Sequence, residues 1–192
     1  MAFELLQDIE NTYRDQLPEF PTLDDYLEVL LPSIRHFSED LNEEEFFLEK
    51  PWKEVTDEEG VFQSILHFFN AEGEYLKSIE GNVSKGHWRQ MPKGSNKLLI
   101  ELKENQQLVR SELFDLVYMD DDFMILRKNA DAVHQKGRRF LFLANETSLG
   151  NASWKTAVEK LYHDYKGEAG SYNWLLYLVI LVIVIILVYS FF

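Results

Sequence analysis

Five histidines, three consecutive aspartates and one glycine-spaced loop are the residues whose types could do chemistry. His36, His67, His87, His134 and His163 show no His-x-x-x-His or His-Glu spacing, so no zinc site is expected. Only His67 and His87 fall on strand-like stretches, where a satisfied core or edge histidine is the simpler expectation. Asp120, Asp121 and Asp122 carry oxygen donors suited to calcium or magnesium. Adjacent carboxylates on a short turn rarely converge on one ion, so a solvated turn is expected instead. Gly81 and Gly86 have the Gly-x4-Gly spacing of a phosphate-binding loop, but His87 and Trp88 stand where Lys and Ser/Thr would contact phosphate and magnesium. A hairpin is expected there. No Gly-x-Ser-x-Gly elbow occurs, and no nucleophile stands beside an obvious base. The chain has no cysteine, which excludes disulfides, thiolate chemistry and cysteine-ligated metals. The basic strip Lys136, Gly137, Arg138, Arg139 reads as a solvated hairpin end, with lipid phosphates as the alternative partner. The expectation is therefore no catalytic residue, no metal, no cofactor and no enzyme.

The elements that would position these residues are easier to read. Residues 174–192 run without a charge, and thirteen of them are Leu, Ile or Val. Nineteen residues at about 1.5 Å of helix rise each come close to the roughly 30 Å of a bilayer core, so this stretch is expected to be a transmembrane tail anchor. Trp174, Tyr177 and Tyr189 sit toward its ends, where amphipathic rings settle at the membrane interface. Lys155, Lys160 and Lys166 precede it and no base follows it, so the rest of the chain is expected on the cytoplasmic side. The N-terminus has acids at Glu4, Asp8 and Glu10 in place of a secretory signal. Asn82, Asn145 and Asn151 head Asn-x-Ser/Thr triplets, read as chance on that side of the membrane.

The net charge of −14 is not spread evenly: residues 1–60 hold 18 acids and 4 bases, and the remainder holds 15 of each. Residues 1–45 are expected to be an acidic helical segment. Leu6, Ile9, Tyr13 and Leu17 mark one amphipathic helix ended by Pro18 and Pro21. Thr22 and Asp25 resemble a capping box, after which Tyr26, Leu30, Ile34, Phe37 and Leu41 trace a second stripe that Pro32 kinks or interrupts.

Residues 46–146 change to period two, with strands expected near 61–69, 74–79, 85–91, 97–102, 108–119, 123–128 and 139–145. Seven or so short strands joined by tight turns make an antiparallel meander, either a curled sheet or a small barrel. Phe140, Leu141, Phe142 and Leu143 are apolar on both faces, so the outer face of that strand needs a cover, supplied by the helices. Residues 147–173 should hold one more helix, capped by Ser153, and a hinge to the membrane.

Trp52, the Phe-rich stretch ending at Phe69, the Gly81 hairpin, Gly86-His87-Trp88 and the final strand through Glu146 together resemble the small lipocalin-like β domains of uncharacterised bacterial proteins, over residues 50–146. The resemblance implies an up-and-down antiparallel barrel or half-barrel whose interior could hold a small apolar ligand. Trp52, Phe69, Trp88, Phe114, Phe140 and Phe142 are the candidate core or pocket residues.

The fold class expected is thus α+β: acidic helices, an antiparallel meander or lipocalin-like barrel, a C-terminal helix, then one spanning helix. The function expected is a membrane-tethered interaction or assembly module for a protein partner, with a small apolar ligand as the alternative. Glu43, Glu44, Glu45, Asp57, Glu58 and Glu59 are the candidate docking residues for a basic partner. Such a charge repels nucleic acid and anionic lipid.

Overall fold

Leu23, Tyr26, Leu27, Leu30, Leu31 and Ile34 put one continuous apolar stripe on helix α1 (Leu23–Ile34), and all six are buried. The computed structural model describes residues 20–58, 64–104, 107–129 and 138–165. The first expected helix, Glu59, the hinge and residues 174–192 with Trp174, Tyr177 and Tyr189 lie outside them. Among the described residues, no helix is long and apolar enough to cross a membrane.

Thr22 caps the helix: its hydroxyl accepts from the Asp25 N–H at 3.2 Å and donates to the Asp25 carboxylate at 2.7 Å, in place of the reciprocal backbone bond of a full capping box. Pro32 is accommodated inside α1, which gives way to a 3-10 turn at Arg35–Phe37. The second stripe therefore does not continue to Leu41 as expected. At Ser38 the backbone becomes extended, and Leu41 leaves the helix to join the barrel interior.

Eight strands follow: β1 (Trp52–Val55), β2 (Ile65–Phe69), β3 (Glu74–Ile79), β4 (Asn82–Gln90), β5 (Lys97–Glu104), β6 (Gln107–Met119), β7 (Phe123–Lys128) and β8 (Phe140–Asn145). Each pairs antiparallel with the next, and β1 pairs with β8, so the sheet closes into an eight-stranded barrel of lipocalin-like shape. Closure depends on a strand absent from the sequence expectation. Four residues are too few to show a period, yet β1 aligns Trp52 with Asn145 and Val55 with Phe142. A one-turn helix, α2 (Glu146–Leu149), and helix α3 (residues 154–165) complete the described chain.

Two apolar layers result. Inward-facing residues fill the barrel with Trp52, Phe69, Tyr75, Trp88, Phe114 and their neighbours. Outward-facing Val55, Phe123, Ile125, Phe140, Phe142 and Ala144 are covered by α1 and α3 through Leu27, Leu30, Val158 and Leu161. This is why β7 and β8 carry apolar residues on both faces. The β6 bulge between Leu116 and Tyr118 brings Val117 and Tyr118 into the outer layer while Met119 points inward.

The two barrel ends differ. One carries the turns after β2, β4 and β6 and is plugged by residues 38–51, which insert Leu41 and Phe47. The plug is pinned by backbone bonds, Glu39 N–H to the Met119 carbonyl at 2.9 Å and Glu49 N–H to the Phe69 carbonyl at 2.8 Å. The other end carries the Glu80-Gly81 turn and has no such plug among the described residues. Both Glu80 (φ 51°) and Gly81 (φ 85°) are left-handed, as a two-residue type I′ turn requires, so the glycine-spaced loop is a hairpin. Gly86 is needed for closeness: a Cβ there would collide with the Glu101 carbonyl oxygen on β5.

Candidate functional site

Strand alternation decides what faces the interior toward the end opposite the plug. On β1 the inward positions are Trp52 and Glu54, on β2 Ile65, His67 and Phe69, and on β3 Tyr75 and Lys77. Trp52 and Phe69 sit toward the plug. Glu54, His67 and Lys77 lie one step farther from the plug, where apolar residues give way to charged ones on the same face.

His67 is buried, and both ring nitrogens are engaged: Nδ1 lies 2.6 Å from the Tyr75 hydroxyl and Nε2 lies 3.2 Å from Glu54 Oε2. A carboxylate can only accept, so Nε2 carries the proton and Nδ1 accepts from the Tyr75 hydroxyl. Burial lowers the proton affinity of His67 and outweighs the opposing pull of Glu54, leaving the ring neutral near pH 7. Burial alone would raise the Glu54 carboxyl. The His67 N–H bond, with Lys77 at 3.9 Å and Arg138 at 3.3 Å, more than offsets it and holds the carboxyl at about 2. Burial pushes the Tyr75 phenol well above its ordinary value, so it stays protonated. Tyr75, His67 and Glu54 thus form one continuous hydrogen-bond chain across β3, β2 and β1.

Above this floor opens a cavity of about 120 Å³, walled by Ile100, Leu102, Phe114 and Leu141 and rimmed by Lys77, Arg110, Glu112 and Lys128. Of the six candidate pocket residues, only Phe114 borders it. Trp52, Phe69 and Trp88 pack below with Phe47, whose ring lies 5.3 Å from Trp88 and 6.1 Å from Phe69. The Trp52 indole donates to the Phe47 carbonyl at 2.9 Å and the Trp88 indole to the Asn70 carbonyl at 2.8 Å. Phe140 and Phe142 belong to the other layer: both face outward, beneath the helices. Parity along β8 separates them from the interior, a signal present in the sequence but unreadable without knowing which face closes inward.

The acidic candidates separate too. Glu44 and Glu45 are exposed at the plugged end beside half-buried Glu43. Glu43 shares a hydrogen bond with Glu39 and lies near Asp40, which raises its pKa. Asp57 and Glu58 follow β1 at the opposite end and are already used: Asp57 accepts the Leu23 N–H at 2.7 Å, and Glu58 pairs with Arg138 at 3.0 Å. Arg139 reaches Asp24, Asp25 and Glu28 of α1, at 3.4, 3.3 and 3.2 Å. Arg138 and Arg139 thus clasp the acidic segment, which corrects their reading as a solvated hairpin end.

The three aspartates diverge as expected of a turn. Asp120 accepts from the N–H groups of Asp122 and Phe123 and from the Tyr118 hydroxyl, Asp121 pairs with Lys50, and Asp122 with Lys160. No group of carboxylates and histidines placed to hold a metal occurs among the described residues. His87 is exposed on the outer face of β4, apart from His67.

Compared with known proteins, the chain matches no family model, no curated protein and no solved structure.

Proposed function

We propose that this chain is a non-enzymatic, membrane-tethered interaction module. It presents a lipocalin-like barrel on the cytoplasmic side of a membrane and receives a basic protein partner at the barrel's plugged end. Residues 174–192 supply the tether in this reading, on the strength of their length and lack of charge. Kinship with the lipocalin-like β domains belongs to the same proposal; supporting it are the up-and-down closure and the inward Trp88 of Gly86-His87-Trp88.

The observation that carries the docking site is electrostatic. Among the described residues, none of Glu39, Asp40, Glu43, Glu44 or Glu45 has an ion pair, and a hydrogen bond with Glu39, together with the charges of Glu39 and Asp40, raises the pKa of Glu43. A shallow groove of about 290 Å³ beside them adds the rings of Phe37, Phe46 and Tyr165. Cationic side chains of a partner would relieve the repulsion and stack on the rings. Asp57 and Glu58 drop out of this surface because their charges are met within the chain. A small apolar ligand in the barrel is the weaker reading, since the interior cavity is rimmed by charge.

The test is affinity capture of the full chain from a detergent extract at two ionic strengths, with co-purifying proteins quantified by mass spectrometry. Replacing Glu43, Glu44 and Glu45 with Gln should cut partner recovery and its salt sensitivity. Asp57→Asn with Glu58→Gln should leave recovery unchanged. Equal recovery for all three proteins at both salt levels would sink the proposal. Separately, deleting residues 174–192 should free a folded protein from the membrane pellet, and retention after a carbonate wash would refute the tether.

A further inference from the structure

We infer that the end of the barrel opposite the plug is a binding site for a compact oxyanion, a carboxylate or phosphate group, held by Lys128, Lys77 and Arg110. This goes beyond the docking reading and concerns the opposite end of the barrel. The residues come from the alternation itself. Met124 and Leu126 of β7 belong to the interior cluster, and Lys128 is the next residue on that face. Likewise Leu116 and Phe114 of β6 are followed by Glu112 and Arg110, and Tyr75 of β3 by Lys77. Three strands therefore each bring a cation to the lining of one cavity.

Charge decides the sign of the ligand. In a chain of net charge −14, this rim holds three cations against two carboxylates. Both carboxylates are already engaged, Glu54 by His67 and Arg138 with Lys77 farther off at 3.9 Å, and Glu112 by Arg110 at 2.7 Å, which leaves Lys128 as the rim cation to which the anion is drawn first. Lys128 has no ion pair among the described residues. A cation half-enclosed by Ile100, Leu102, Phe114 and Leu141 is held in a medium less polar than water, where an opposite charge is attracted more strongly than at an open surface.

Volume decides the size. About 120 Å³ is well below the roughly 300–1,000 Å³ of a drug-sized ligand site, so a group of a few heavy atoms fits and a fatty chain does not. The floor adds no further cation: His67 is engaged on both ring nitrogens, by Tyr75 and by Glu54.

The experiment is calorimetric titration of the full chain in uncharged detergent micelles, with sodium phosphate and then sodium acetate at constant ionic strength. Saturable one-to-one binding of at least one of them is expected, weakened tenfold or more in Lys128→Gln and in Lys77→Gln. Lys85→Gln, on the exposed outer face of β4, should bind as the parent does. Thermal unfolding identifies any variant that fails to fold, and the remaining one carries the comparison. Adding phosphatidic acid to the micelles distinguishes the source. Loss of phosphate binding would assign the site to a lipid headgroup, undiminished binding to a free solute, and either upholds an oxyanion site. Absence of saturable binding by both anions, or unchanged affinity in every folded rim variant, would overturn it.

Discussion

Replacing Glu54 with Gln removes one charge from the buried relay and leaves its shape. The amide carbonyl can still accept from His67 Nε2, but Lys77 and Arg138 lose their anion. A carboxyl held at about 2 in place of 4.5 corresponds to about 3 kcal/mol in favour of its charged form. That shift counts an attraction to a charged His67, which the neutral ring lacks, so about 2 kcal/mol is the expected loss at pH 7. The sign with pH follows from the depressed value. Above 4.5 the contribution of Glu54 is fully present, and it declines as pH falls toward 2. Roughly half or more is gone by pH 3. His67 also has a depressed proton affinity, so acidification below about 6.5 favours protonation of the unfolded chain and destabilises both proteins. The assay is urea unfolding of the full chain in micelles, followed by tryptophan fluorescence at several pH values. Parent and Glu54→Gln should differ by about 2 kcal/mol at pH 7 and converge toward pH 2. A gap under about 0.5 kcal/mol at pH 7, or one that persists unchanged at pH 3, would refute the relay energetics.

Two further substitutions probe the scaffold by the same unfolding assay. Trp88→Ala empties a buried indole site and strands the Asn70 carbonyl, so a loss of about 3–5 kcal/mol is expected; a loss below about 1 kcal/mol would show that the ring does not pack the interior. Gly86→Ala forces β4 and β5 apart at the Glu101 carbonyl and should cost about 2 kcal/mol or more, whereas the same change at exposed Gly81 meets no neighbouring atom and should cost only the strain of its left-handed backbone. Equal losses at the two glycines would contradict the close approach.

The alternation of residues 97–128 was readable from the sequence because period two is a local property, visible wherever a strand exceeds about five residues. The same holds for the Thr22 cap and the Glu80-Gly81 turn. What the sequence could not decide was which parity faces inward. Phe142 and Leu143 are neighbours of similar hydropathy, and closure alone sends one beneath the helices and the other into the barrel. Closure itself rests on β1, whose four residues carry no period but gain partners on both edges. The acidic candidates divide for the same reason, since Glu43 and Asp57 are close in sequence yet lie at opposite ends of the strand between them. The relay of Tyr75, His67 and Glu54 draws on three strands and leaves no local signature. Composition and spacing are summed along the chain, but burial, parity and pairing are set only when distant strands meet.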